Sequence, residues 1–402
     1  MSDSINHPSE DSCKIPILDH STSTRLVAGE GAVDRVGELG AELKIEKALL
    51  VTDSGIVKAG HADLVETLLE SKGIEVTLFD RVIENPDTRC VDDCLAVANL
   101  AGIDGIIGLG GGSSMDTAKG CNFLLTNGGE MKDYWGVGKA TKEMLPLIAI
   151  PTTAGTGSET QSFALISDSV THQKMACGDP KAAAEIAILD PALTISQPRR
   201  VAACTGIDAI AHAVETAVTK KRNPLSAMYS LEAFKLASSS FPKVLSEQTN
   251  IQARSDMQLA AAFAGMAIES SMLGAAHSAA NPLTAHYGIV HGEAVGMMLP
   301  AVVAFNAADE TARSHYAALA SGPELAFASD GHGPAVEALL AHLQSLLEVA
   351  GMPKSLKDCG VKEEMIPAMA KEAAQQWTAN FNPRPITAND FENLYRSTYQ
   401  AR

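Results

Sequence analysis

The sequence predicts a chain in two parts, an α/β half built on a parallel sheet followed by an all-α half. Three observations carry this reading. Short apolar runs alternate with helical stretches through roughly the first 190 residues. Each of those runs ends in a glycine or a polar turn. Beyond "AILDPALTISQPRR" (Ala187–Arg200) strand signals all but vanish. Regular strand–helix alternation builds βαβ units, and βαβ units build parallel sheets.

Taken in order, "MSDSINHPSEDSCK" is polar and lacks the apolar centre of a signal peptide, so residues 1–14 are expected to form a loose tail. "KALLVTD" (Lys47–Asp53), "EVTLFD" (Glu75–Asp80), "DGIIGLGGG" (Asp104–Gly112) and "LPLIAIPTT" (Leu145–Thr153) are the strand candidates. "HADLVETLLESKG" (His61–Gly73) and "TRCVDDCLAVANLAG" (Thr88–Gly102) are helices between them, each closed by a C-terminal glycine. A boundary near Pro191–Pro198 divides 15–194 from 195–402. In the second part "LSAMYSLEAFKLASSSF", "SDMQLAAAFAGMAIESSMLGAAHS" and "GPAVEALLAHLQSLLEVAG" each read as one long helix. No repeat or long linker intervenes, so the halves are expected to pack face to face across a cleft.

Bulk composition narrows the function. The 402 residues are 46% hydrophobic and 20% charged, an ordinary soluble balance. A net charge of −17 argues against nucleic acid or an anionic membrane as partner. It leaves room for an anionic cofactor, because backbone amides hold phosphate whatever the global charge. No apolar run reaches the ~18 residues of a membrane span. Seven dispersed cysteines without a CxxC pair read as reduced thiols of a cytoplasmic protein.

Three loops fall at strand carboxyl ends, where ligands of parallel sheets bind. In "IIGLGGGSSMDTAKG", Gly110, Gly111 and Gly112 let a ligand approach the backbone, and a helix starting near Ser113 offers free amides to a pyrophosphate. Asp116 and Lys119 sit in its first turns. The usual dinucleotide fingerprint spacing is absent. Asp53 closes its strand where an acid can bind a ribose diol and repel a 2′-phosphate, although it also suits a turn. "IPTTAGTGSE" (Ile150–Glu159) presents Thr152, Thr153, Thr156 and Ser158, either to a cofactor or, through Ser158, as a helix cap.

The second half concentrates possible metal donors. "GIDAIAHAVE" (Gly206–Glu215) puts Asp208 and His212 at i and i+4, on one helix face. "AHSAANPLTAHYGIVHG" (Ala276–Gly292) adds His277, His286 and His291. Three imidazoles and a carboxylate suit a borderline divalent ion such as Fe²⁺ or Zn²⁺. Spacing alone does not separate such ligands from satisfied core histidines.

These segments together resemble the iron-containing (group III) alcohol dehydrogenase family. The likeness runs from about Ile15 to "NPRPITANDFENLYRSTY" and rests on "VTD", "ENPDT", "GLGGGSSMDTAKG", "IPTTAGTGSE", "ILDP", "GIDAIAHAVE" and "HSAANPLTAHYGIVHG", all in family order. It implies the dehydroquinate synthase-like fold, with an N-terminal α/β nucleotide-binding domain and an all-α C-terminal metal-binding domain. It implies Asp208, His212, His277 and His291 as ligands of Fe²⁺, or alternatively Zn²⁺. It assigns Asp53 to the adenosine ribose, favouring NAD over NADP. Asn85, Gly111, Gly112, Ser113, Thr152, Thr153, Thr156 and Lys174 would line the cofactor, and His286 would be a pocket wall. The expected reaction is reversible hydride transfer between an alcohol and NAD in a cytoplasmic homo-oligomer, a dimer by resemblance. The alternatives are a hydroxyacid–oxoacid transhydrogenase or a maleylacetate reductase-like enzyme; a dehydroquinate synthase-like lyase and a nucleotide-binding protein without catalysis are the more distant ones. One departure stands out. Asn281 occupies the position, four residues after His277, where many relatives carry a histidine, and an amide does not titrate.

Overall fold

A computed structural model describes residues 24–171 and 173–400, so the tail expected over 1–14 lies outside the described residues. Nine strands occur among them: β1 (Arg25–Ala28), β2 (Lys47–Val51), β3 (Glu75–Phe79), β4 (Gly105–Gly110), β5 (Gly136–Val137), β6 (Leu147–Pro151), β7 (Phe163–Ser167), β8 (Lys174–Gly178) and β9 (Ile186–Leu189). Helices α1 (Val36–Glu42), α2 (Ser54–Lys58), α3 (His61–Glu70), α4 (Thr88–Ala101) and α5 (Gly112–Asn127) are threaded between the strands. From Arg199 onward only helices follow: α6 (Arg199–Thr216), α7 (Pro224–Ser246), α8 (Ile251–Ser271), α9 (Ala275–Tyr287), α10 (His291–Asn306), α11 (Glu310–Ser321), α12 (His332–Ala350), α13 (Ile366–Gln375) and α14 (Ala388–Tyr399), with short 3-10 turns.

The main sheet is parallel throughout, in the order β1-β9-β6-β4-β2-β3. All four strands read from the sequence are in it. Side-chain alternation explains why these runs are apolar from end to end. Ala48, Leu50, Ile107, Leu109, Ile148 and Ile150 face α1 and α3, whereas Leu49, Val51, Ile106, Leu147 and Ala149 face α4 and α5. From β2 the chain steps outward to β3 and then returns past β2 to β4. The connections therefore diverge between the carboxyl ends of β2 and β4, and a crevice at such a divergence is where open parallel sheets bind ligands. At one edge β1 pairs with β9, Arg25 opposite Ile186, and the Val33 N–H donates to Asp190 (3.1 Å). A second sheet, β5-β8-β7, lies outside the expected strands: β5 has two residues, and β7 pairs antiparallel with β8, outside the strand–helix alternation that announces the main sheet.

In the helical half α6 is the central element, buried along most of its length against α7, α8 and α10. The segment read as one helix from Ser255 to Ser278 is in fact broken between α8 and α9, whose axes meet at 106°. Met272 takes a left-handed backbone (φ 69°) there, and at Gly274 a side chain would meet the Glu215 carboxylate. The break turns the start of α9 toward α6. No single helix among the described residues is long and apolar enough to cross a membrane.

The start of α10 presses on α6 so closely that a Cβ at Gly292 would run into the Cys204 carbonyl. Gly292→Ala should therefore cost about 1–3 kcal/mol, the usual penalty of overpacking. A lowered urea midpoint checks this, and an unchanged midpoint would show that α6 and α10 separate freely.

Candidate active site

Three helix segments deliver one cluster. α6 carries Asp208 and His212 one turn apart, the first turn of α9 carries His277, and α10 opens on His291. Asp208 Oδ1 lies 3.4 Å from His212 Nε2, 3.4 Å from His277 Nε2 and 3.8 Å from His291 Nε2. Donor atoms of Asp208, His277 and His291 all fall within 4.8 Å of one another; His212 stacks on His277 with ring centroids 4.8 Å apart. Asp208 Oδ1 and His277 Nε2 are buried without a hydrogen-bond partner. Donors about 2.1 Å from a shared tetrahedral ion stand about 3.4 Å from each other. The spacing and the unpartnered atoms fit a divalent metal.

The electrostatics agree. Burial alone would raise the Asp208 carboxyl, but the imidazoles of His212, His277 and His291 hold it well below its usual range. Burial lowers His212, and burial with help from Lys174 pushes His291 down to about 3, so both present neutral nitrogen. His277 goes the other way. Burial opposes its charge, yet Glu215 and Asp208 on either side raise it to about 9. A metal arriving at His277 must displace that proton.

Glu215, one further turn along α6, is not among the residues expected at the site. Its Oε1 accepts from the Ala276 N–H (2.6 Å) and its Oε2 from His277 Nδ1. The signal was available, since 208, 212 and 215 share one helix face. His286 is corrected: it does not wall the pocket but pairs with Glu372 (2.8 Å) at the outer end of α9. Asn281 is half-buried and donates from Nδ2 to Gln376 Oε1 (3.0 Å).

Loops at the carboxyl ends of β2, β4 and β6 carry most of the residues expected to line the cofactor. Asp53 caps α2, its Oδ1 accepting from Gly55 N (2.7 Å) and Ile56 N (3.2 Å), so the turn role is real and Oδ2 is left toward Gly110. Gly111 caps α5 and Gly112 begins it, with the Thr156 side chain closer to Gly112 than any added Cβ would allow. Thr153 lies against Gly111, and Thr152 N donates to Gly110 O (2.9 Å). Asn85, in a left-handed conformation (φ 52°), donates its N–H to Ser113 Oγ (3.3 Å). Lys174 is exposed at the start of β8. The structure thus gathers Asp53, Asn85, Gly111, Gly112, Ser113, Thr152, Thr153 and Thr156 at one end of the sheet.

Ser158 does not cap a helix. Its Oγ donates to Asp116 Oδ1 (3.1 Å) beside Lys119, whose buried Nζ donates to the carbonyls of Ser158 (2.6 Å), Gln161 (2.7 Å) and Phe163 (3.1 Å). Thr160 Oγ1 donates to Ala262 O (3.0 Å) and Gln258 Nε2 to Pro151 O (3.1 Å). These bonds dock the hydroxyl-rich loop on α8.

Models of two family segments match the chain, "iron-containing alcohol dehydrogenase" over residues 23–191 and "Fe-containing alcohol dehydrogenase family, C-terminal" over 202–399. The chain is 34% identical to the NAD-dependent methanol dehydrogenase of Bacillus methanolicus, covering 92% of this chain and 97% of that protein. It is 36% identical to a choline dehydrogenase of Bacillus subtilis (strain 168), covering 94% of each. Its structure resembles that of a 1,3-propanediol oxidoreductase with a TM-score of 0.92 at 32% identity, over 96% of this chain and 100% of the other.

Beneath the loop, burial raises Glu159 to about 7 against the opposing pull of Lys119, and raises Asp116 to about 6. A carboxyl whose pKa is higher folded than unfolded binds more protons in the folded state, so stability falls as pH rises from about 4.5 to 7 and stays low above. Glu159→Gln should remove that decline. The variant should gain up to about 3 kcal/mol at pH 8 and much less at pH 5. Denaturation at the two pH values measures this; an equal gain at both would show that the carboxylate is not charged by burial-shifted titration.

Proposed function

Since the chain belongs to the iron-containing alcohol dehydrogenase family, we propose that it transfers hydride reversibly between a small alcohol and NAD, using a divalent metal. The observation that supports this most is the convergence of three imidazole nitrogens on Asp208 Oδ1, a buried atom without a hydrogen-bond partner. Asp208, His212, His277 and His291 would hold Fe²⁺, with Zn²⁺ as the second choice for this donor set. The ion supplies Lewis-acid polarisation of the alcohol oxygen and NAD the hydride acceptor.

The chain's own residues do the rest. The free amides at the start of α5, from Gly111, Gly112 and Ser113, bind a pyrophosphate and fix the cofactor's reach toward the helices. Asp53 Oδ2 accepts from the adenosine ribose and repels a 2′-phosphate. Asn85, Thr152, Thr153, Thr156 and Lys174 complete the cofactor wall. Asn281, one turn beyond His277, offers its carboxamide oxygen to a substrate hydroxyl while Gln376 holds the amide nitrogen. It cannot carry a proton, so the proton leaves by another route. On this reading 15–194 form the nucleotide-binding domain and 195–402 the metal-binding domain, and the protein works as a cytoplasmic homodimer. The relatives named for methanol, choline and 1,3-propanediol point to small hydroxylated substrates.

The direct test is oxidation of a panel of such alcohols with NAD on Fe²⁺- and Zn²⁺-loaded protein. His277→Ala and His291→Ala should strip the metal, abolish turnover and leave NAD binding intact. Full metal occupancy by elemental analysis in both variants would move the ligands elsewhere.

Cofactor choice is tested separately. The intact protein should prefer NAD to NADP in kcat/KM, and Asp53→Gly should narrow the gap by removing a repelling charge. That variant also loses the α2 cap, so its thermal stability must be followed in parallel. Equal kcat/KM for both cofactors in the unaltered protein would overturn the role of Asp53.

A further inference from the structure

We propose that Glu215 is a positioning residue for the metal: it fixes which nitrogen of His277 carries the proton and thereby sets how tightly the ion is held. The proposal rests on the metal reading above. Glu215 is buried on α6, two turns from Asp208 and one from His212. Two N–H donors meet it. Ala276 N, at the unsatisfied first turn of α9, donates to Oε1 (2.6 Å), and His277 Nδ1 donates to Oε2. A backbone N–H can only donate. An ionised carboxylate accepts at both oxygens, so opposite Oε2 the imidazole Nδ1 must be the donor. With the proton of the neutral ring on Nδ1, the lone pair sits on Nε2, the buried and unpartnered nitrogen 3.4 Å from Asp208 Oδ1. Partners of this kind fix ring orientation and make the imidazole a stronger donor. Glu215 also adds a second buried negative charge beside Asp208, so the two carboxylates together balance a divalent cation.

The geometry makes the amide the decisive substitution. In Glu215→Gln the carbonyl must turn to Ala276 N–H, since the alternative sets two donors against each other in a buried site. The NH₂ then faces His277 Nδ1 and donates to it. The ring proton moves to Nε2 and blocks the nitrogen that the metal needs. Size and the cap of α9 are kept.

The test is metal affinity, measured by titrating metal-free protein with Zn²⁺ and with Fe²⁺ against a competing chelator. Glu215→Gln should bind 10- to 100-fold more weakly, the range found for such outer partners of metal ligands. NAD binding and the thermal midpoint of the metal-free protein should stay close to those of the unaltered protein. If the variant is destabilised, a double-mutant cycle with His277→Ala still decides, run with enough Zn²⁺ in excess that the three ligands left after the ring is lost, Asp208, His212 and His291, rebind the ion measurably. A residue acting through His277 has no further effect once that ring is gone, whereas a merely structural one weakens binding in both backgrounds. Unchanged affinity in Glu215→Gln, or equal losses in the two backgrounds, overturns the proposal and leaves the metal site standing. Failure of the unaltered protein to bind either ion overturns the metal reading itself, and the role of Glu215 with it.

Discussion

A carboxylate charge buried among helices is the constraint around which the second half is built. Asp208 sits on the most enclosed helix of the protein, where an isolated anion is expensive. Cations or strong donors have to reach it. The imidazoles that do so come from α6 itself, from α9 and from α10, so the sharp break before α9 and the glycine contact between α10 and α6 serve one electrostatic demand. The apolar alanines around the cluster (Ala209, Ala211, Ala275, Ala276, Ala279) are small enough to let these helices approach.

The other wall is organised by a different group, the ammonium of Lys119. Fully enclosed, it satisfies itself on carbonyls of the loop that follows β6 and on Ser158, next to Asp116. The same loop reaches α8 through Thr160 and Ser162, the latter bonded to Glu269 through N (3.0 Å) and Oγ (2.5 Å). Threonines aimed at the β2–β4 crevice are thus held from both sides. Alignment of a cofactor against a substrate depends on that rigidity more than on any single contact.

How much of this could be read from residues alone varies by element for physical reasons. β2, β3, β4 and β6 are buried on both faces or flanked by clear turns, and their apolar runs announce them. Gly102 ends α4 in the left-handed conformation that its position suggests. β5 is two residues long and β7 turns straight back on β8, so the strand–helix rhythm passes over them, and the break between α8 and α9 turns on a left-handed Met272 that composition does not reveal. His286 and His291 illustrate the limit best. They are the same residue type five positions apart, yet one pairs with Glu372 at the outer end of α9 and the other begins α10 inside the cluster. Only the turn between the two helices distinguishes them. Glu215 shares a helix face with Asp208 and His212, which marks it in the sequence, but its task is defined only when Ala276 and His277 of α9 stand against it. Spacing leaves the ligand set undecided, and the likeness of the segments to a family is what implies it.

The pairing of β1 with β9 sets an order of events during synthesis. β1 leaves the ribosome ahead of the rest of the sheet, but its sheet neighbour among the described residues, Ile186–Leu189, follows some 160 residues later. Until then the strand has no place to add itself, and the β6 edge that will receive β9 stands open. Contacts so distant along the chain form slowly, because the intervening loop must first be closed. The residue that seals the joint, Asp190, accepts from Val33 N and lies directly before the turn into α6. The first half thus completes its sheet just as translation reaches the helices, which keeps its last exposed edge unpaired for most of its own synthesis.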